Sequence, residues 1–450
     1  MTMKTSRREF LRQTSALAIA GSATPFAVNL ASIGAASAQV AGGYKALVCV
    51  FLYGGNDAHN TVVPASGAAY NTYATTRGAL AWQPTELTTL TGGLQVPNEL
   101  APLASLYESQ QCAIVANVGP LIVPTDRTSF LANSVPKPAK LFSHNDQQST
   151  WQASAPEGAT YGWGGRIGDL LASQNGNSTF TTVNLTGNAV FLSGQQIQPY
   201  QLDPAVGAIP FNSVVGNALY GSSAGNSALR TILTRTHANL MQNELGKVNQ
   251  RSLDSQAVLS AALAGGIQPA PLALPANNSL AQQLEMVAKV INARGALTAA
   301  RQVFLVSMGG YDTHANQDAT HPGLLTQLAQ AINWWQTTIN QMGIANDVTL
   351  FTASDFGRAL APNSEGSDHG WGAHHFVVGG AVIGRQVYGS FPDLATNAST
   401  DAGNGRLIPT TSVEQYAATM AKWMGVTDAN LPVILPNLNN FTLKNLGFMT

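Results

Sequence analysis

Charge is scarce in this sequence. Only 10% of its 450 residues are Asp, Glu, Lys or Arg, against about 25% in an average soluble protein. The net charge of −1 leaves no basic excess, which excludes a nucleic-acid partner held by a cationic patch. There are two cysteines, Cys49 and Cys112, too few for a disulfide scaffold or a thiolate metal site. Each lies in an apolar run. They could pair in an oxidising compartment, but their surroundings favour two buried thiols. No apolar run reaches the ~20 residues a spanning helix needs, so no stable membrane span is expected in the processed chain. A G-x-S-x-G elbow is missing, which weakens a metal-free esterase reading. No internal repeat is found.

What is present is apolar material in quantity, 45% of residues, enough for the core of one large α/β domain. The chain starts with Ser6-Arg7-Arg8-Glu9-Phe10-Leu11, a mildly apolar stretch from Ala16 to Ala31, and Ala36-Ser37-Ala38. That order reads as a twin-arginine signal over residues 1–38, cleaved at a small-residue site. The protein is therefore expected in the periplasm or outside the cell, with the twin-arginine translocase as a transient partner. Residues 39–450 form the working domain.

Five runs read as buried strands: Tyr44 to Tyr53, Gln111 to Val118, Gln302 to Ser307, Val348 to Ala353 and His375 to Gly379. Helical patterns separate most of them, for example Asn98 to Glu108, Leu280 to Arg294, Gly323 to Ile344 and Val413 to Met424. Alternation of this kind implies a mostly parallel sheet with helices on both faces. Residues 119–163 read as loop-rich. Residues from about 176 to 275 read as a mainly helical insertion.

The chemistry-bearing residues collect just after the strands, where open α/β sheets bind ligands. They are Gly54-Gly55-Asn56-Asp57-Ala58-His59, Ser143-His144-Asn145-Asp146, Gly309-Gly310-Tyr311-Asp312-Thr313-His314, Ser354-Asp355-Phe356-Gly357-Arg358, and Ser367-Asp368-His369 leading to His374-His375. Seven of the eight histidines lie in or beside these segments. Asp and neutral His suit divalent cations. Each segment also has a plain structural alternative. Asp57 could cap a helix, Asp312 and Asp355 could be turn residues, and Arg358 could pair with a neighbouring carboxylate. His374 and His375 point to opposite faces of their strand, so at most one can face the site.

The segments FLYGGNDAHNTVVP, SHNDQQSTWQ, SMGGYDTHANQ and TASDFGRALAPNSEGSDHGWGAHHFVVGGAVIGRQVYG resemble the twin-arginine-exported proteins grouped as domain-of-unknown-function family 1501, from about residue 44 to the C-terminus. That family resembles a branch of the alkaline-phosphatase and sulfatase superfamily. The resemblance implies a three-layer α/β/α sandwich with a central mostly parallel sheet. It implies one or two divalent metals (zinc, manganese or calcium) and an exported hydrolase of phosphate or sulfate esters, with an anionic small-molecule or polymer ester as substrate. Carried over, Asp57 matches the first-strand ligand, Asp312 and His314 one metal site, Asp355 the other, and His369 or His374 the late histidine. Ser149 or Ser143 would be the nucleophile, with metal-bound water as the alternative. His144 would be a ligand or base, and Arg358 (or Arg166) the anion holder. Two departures stand out: Phe356 occupies the place of a histidine, and Asp312-x-His314 is tighter than the superfamily spacing. The rival reading is a non-catalytic exported binding or assembly protein that keeps the fold without the full metal site.

Overall fold

The computed structural model describes residues 43–65, 67–187, 189–209, 214, 219 and 221–450. The twin-arginine signal expected over residues 1–38 lies outside the described residues.

In chain order the strands that matter are β1 (Lys45–Leu52), β2 (Cys112–Gly119), β3 (Thr182–Asn184), β4 (Tyr200–Gln201), β5 (Arg301–Met308), β6 (Val348–Ser354), β7 (Arg358–Pro362), β8 (Ser367–His369), β9 (Ala373–Gly379), β10 (Val387–Tyr388) and β11 (Thr411–Ser412). The helices are α1 (Gly67–Arg77), α2 (Ala101–Glu108), α3 (His144–Ala153), α4 (Trp163–Leu171), α5 (Ser223–Thr234), α6 (Leu240–Leu263), α7 (Ser279–Asn292), α8 (Gln317–Gln341) and α9 (Val413–Met424). The central sheet has nine strands in the order β10-β2-β9-β6-β1-β5-β3-β4, with β11 also paired to β2. Only β9 runs against its neighbours, β2 and β6. The rest of the sheet is parallel.

Strand β1 shows why the protein has three layers. Its side chains alternate with period two. Ala46, Val48, Val50 and Leu52 pack into one core with residues of α2, α7 and α8. Leu47, Cys49 and Phe51 pack into a second core with residues of α4 and α9. A strand buried on both faces must read as an unbroken apolar run. Both cysteines are free and buried. Burial pushes the two thiols well above their ordinary range, so they are inert core residues. Of the span 176–275, β3 and β4 join the edge of the central sheet, whereas α5 and α6 supply its helical part. No helix among the described residues is long and apolar enough to cross a membrane.

Four histidines are buried beneath the strand ends: His59, His321, His374 and His375. Burial drives the first two down to about 4 and His375 to about 3, with His374 also well below its usual value. In an unfolded chain these rings ionise near 6.5. Between roughly pH 6.5 and 4 the unfolded chain therefore binds more protons, and stability falls as pH falls. Each ring contributes a slope of about 1.4 kcal/mol per pH unit. Urea unfolding from pH 7.5 to 4 is expected to show a flat midpoint above about 7 and a steep decline below 6.5.

Candidate metal centre

Strands β1, β5 and β6 end in register. Leu52 is paired with Met308 on one side and Ser354 on the other, so the loops that follow leave from one edge of the sheet. The β1 loop turns at once through Gly54 and Gly55, at φ +111° and +83°. Side chains rarely adopt such angles, and here none would fit. A Cβ on Gly54 would lie 2.4 Å from the Asp312 amide nitrogen, and one on Gly55 would lie 2.4 Å from the Phe356 ring. The glycine pair lets the loops carrying Asp312 and Phe356 close over the end of β1.

Asp312 stands at the centre of what these loops build. Its Oδ1 lies 3.1 Å from His314 Nε2 and 3.2 Å from His369 Nε2, and its Oδ2 lies 3.5 Å from His144 Nε2. The two rings of His314 and His369 also meet Nε2 to Nε2 at 2.9 Å. The far nitrogen of each ring is held from behind. His144 Nδ1 lies 2.6 Å from Asp355 Oδ2, His369 Nδ1 lies 2.7 Å from the Phe142 carbonyl, and His314 Nδ1 lies 3.4 Å from Asp368 Oδ1. Carboxylates and carbonyls only accept hydrogen bonds. The proton of each neutral ring is therefore drawn to Nδ1, and bare Nε2 lone pairs face a carboxylate and one another. Such an arrangement calls for a positive charge between them. Metal-binding histidines are oriented in this way by acceptors behind them.

The spacing agrees with that requirement. Bonds of about 2.0–2.1 Å to a tetrahedral zinc set its ligand atoms about 3.3 Å apart. The ligand atoms of His144, Asp312 and His369 all lie within 4.8 Å of one another, and this is the one such group among the described residues. Three imidazoles and a carboxylate suit zinc, or manganese, better than calcium, which prefers oxygen ligands.

Phe356, buried, forms the floor. Its ring packs 4.9 Å from that of His144 and 4.6 Å from that of His369. The two partners titrate in opposite directions. The hydrogen bond that His144 donates to Asp355 raises His144, and burial lowers His369. Burial opposes ionisation of Asp312, but the Arg358 guanidinium beside it holds its carboxyl below the usual range.

Two residues nominated as ligands from the sequence make other contacts in the structure. Asp57 is fully buried and outside that group, paired with the Arg77 guanidinium and the Gln317 amide. Its Oδ1 also accepts the Asn60 amide at 3.3 Å, capping a short helical turn. His374 lies inside the sheet. It accepts the Asn117 amide at 3.1 Å and stacks on Phe391 with ring centres 4.6 Å apart. Asp355 does belong to the site, but behind His144, with its Oδ1 buried and without a hydrogen-bond partner.

The catalytic roles expected for three side chains meet similar constraints. Ser143 donates to Asp146 at 3.0 Å and Ser149 to the Pro156 carbonyl at 2.9 Å. Neither is aimed at Asp312. Arg358 is buried and spends its donors on Asp312 (2.7 Å), the Gly54 carbonyl (3.3 Å) and Ser367. It positions Asp312 rather than waiting for an anion. Arg166 is used up on the carbonyls of Ile434, Ala153 and Tyr161.

Three participants had no role assigned from the sequence. Gln148 donates to Asp355 Oδ2 at 2.8 Å. It lies one helical turn after His144 on α3, a spacing of four that places both on one face. Asp368 alternates with His369 along β8. Arg406 donates from Nε to the His369 carbonyl at 3.0 Å and lies over the Phe142 ring at 4.5 Å.

Removing the support behind one ligand has a definite expected result. Asp355→Asn keeps the shape but weakens the hold on His144 Nδ1, and a lost outer partner costs about 10–100-fold in metal affinity. Competition with a chromogenic chelator measures it.

A protein-family model described as "Protein of unknown function (DUF1501)" matches residues 44–433. Among curated proteins no match is found. Among solved structures, the chain is similar to the PsFucS1 sulfatase from Pseudoalteromonas sp., at 10% identity and a TM-score of 0.36, over 94% of this chain and 76% of that one. It is similar to the lipoteichoic acid synthase LtaP from Listeria monocytogenes at 8% identity and a TM-score of 0.33, over 88% and 77% of the two chains. A putative sulfatase from Bacteroides thetaiotaomicron gives 9% identity and a TM-score of 0.30, over 88% and 75%.

Proposed function

From the premise that the chain belongs to the DUF1501 family, we propose that it is an exported hydrolase of phosphate or sulfate esters that works with one divalent cation held by Asp312, His144 and His369, with His314 beside them. The observation that carries this reading is the convergence of Nε2 atoms on the Asp312 carboxylate, each ring backed at Nδ1 by an acceptor.

When bound, such a cation polarises an ester oxygen and makes water a nucleophile near neutral pH. In hydrolysis the water oxygen bonds to phosphorus or sulfur, the ester oxygen leaves, and the water's proton ends on the departing alcohol. The chain's own residues prepare that step. Arg358 fixes Asp312, and Asp355 and Gln148 fix His144. The Phe356 floor keeps bulk water from beneath the two rings. Arg406 is the cation suited to meet the anionic group, because Asp312 does not consume it. With Ser143 and Ser149 hydrogen-bonded elsewhere, direct attack by water is favoured over a serine intermediate. The engagement of those hydroxyls also favours a second reading, in which the protein binds cation and ligand without turnover.

Metal analysis of the purified protein, followed by a panel of aryl phosphates and sulfates with added zinc, manganese or calcium, tests the proposal. We expect about one metal per chain, and hydrolysis that a chelator stops and zinc or manganese restores. Metal-free protein that stays inactive in every case overturns it. Bound metal without turnover of any ester selects the second reading. The signal over residues 1–38 supports periplasmic or secreted localisation.

A further inference from the structure

Beside the cluster lies a groove whose chemistry differs from that of the site. Two adjoining cavities, of about 390 and 650 Å³, share Ala159, Thr186, Gly187, Ala189 and Val190 in their walls. Their volumes fall in the range of small-molecule sites. The groove runs along the sheet edge where β3 and β4 end. It reaches the cluster through Gln148, which lines it and donates to the Asp355 carboxylate at 2.8 Å.

Its lining is almost uncharged. Asn145, Gln148, Asn184, Gln198 and Gln201 contribute amides and Thr160 a hydroxyl. Asn184 and Gln201 bond to one another, whereas Asn145, Gln148 and Gln198 each give one bond within the protein, to Glu157, Asp355 and the Gly194 carbonyl, out of two amide hydrogens. No Lys, Arg or His lines either cavity, and the one charge is the Glu157 carboxylate. A groove for a polyanion needs cations along its length, and one for an apolar chain needs apolar walls. Side-chain amides present a donor and an acceptor side by side. That pairing matches neighbouring hydroxyls, each of which also donates and accepts.

We propose that this groove binds a neutral, polyhydroxylated group, so that the ester presented to the cation is carried on a carbohydrate without repeated charges. The proposal rests on the ester-hydrolase reading of the adjacent cluster and names the substrate class for it. The anion is met at the cluster, and the uncharged sugar rings extend along the amides.

Calorimetric titration of the full chain tests it, using a panel of neutral tetrasaccharides (gluco-, xylo- and chito-configured) and a heparin tetrasaccharide as the polyanionic counterpart. The comparison variant is Gln198→Leu with Thr160→Val. Gln198, its amide 3.3 Å from the Gly194 carbonyl, and Thr160 are both exposed, so both changes leave the core intact. We expect at least one neutral tetrasaccharide to bind wild type more tightly than the heparin fragment does. Its affinity should drop about tenfold or more in the variant, with metal content unchanged. Absence of binding by every neutral saccharide overturns the proposal, as does tighter binding of the heparin fragment or an unaffected variant. The two readings fail separately. Saccharide binding to a protein that never retains metal overturns the cluster reading and leaves this one standing.

Discussion

Asp312→Asn is expected to abolish metal retention and to lower ester hydrolysis by about 10²-fold or more. The substitution preserves volume but removes the charge that faces all three Nε2 atoms. It also takes from the buried Arg358 the carboxylate it is paired with. The consequence for stability is separable from that for the metal. In wild type, a cation at a hundred times its dissociation constant stabilises the folded state by about 2.7 kcal/mol, which appears as a rise in melting temperature. In the variant that rise should vanish. A variant that still takes up zinc and still gains the same thermal shift would mean that the cation sits elsewhere.

The second large effect concerns Asp57 and Arg77. Their ion pair is wholly buried. Arg77 also donates to the carbonyls of Ala359 and Leu360 in β7, at 2.9 and 3.0 Å, and to the Asn60 side chain at 3.1 Å. Arg77→Met leaves the Asp57 carboxylate in the interior without its cation. Losing one partner of a buried pair costs about 3–5 kcal/mol. Asp57→Asn should cost less, because a neutral amide still receives the Asn60 amide. Denaturant unfolding of both variants measures the order. Had Asp57 been a metal ligand, Asp57→Asn would deplete the metal. Here it should leave metal content intact while lowering stability.

Much of the fold was readable because a doubly covered sheet leaves a strong trace. The runs around Val48, Val115, Leu305 and Leu350 are mostly apolar with no polar alternation, and each lies inside the central sheet. Short edge strands such as Tyr200–Gln201 bury little and leave no comparable signal. The helix His144–Ala153 was read as loop because its sequence, HNDQQSTWQA, is mostly polar. Its place is fixed by Trp151 and the contacts of His144 with the sheet edge, not by an apolar stripe. That misreading also hid Gln148, whose relation to His144 is visible only once the helix is known.

The cluster itself was half legible. Asp312, His314 and His369 could be nominated because they sit at strand ends. Asp57 had the same credentials, but its fate is decided by Arg77, twenty positions away on α1, which no local pattern links to it. His374 shows a different limit. Alternation along β9 puts it and His375 on opposite faces, yet only the fold shows what each meets: the Asn117 amide and Phe391 for His374, Thr352 and Trp151 for His375. Phe356 replaces an expected ligand in sequence but serves the site in space, as the apolar surface under His144 and His369.

The central claim is that distant loops bring one carboxylate and several imidazoles to a single cation. Anomalous scattering from crystals of the chain equilibrated with zinc tests this most directly. The account predicts one strong peak within bonding distance of Asp312, His144 and His369. A map with no peak there, or with the metal at the buried Asp57, would contradict it.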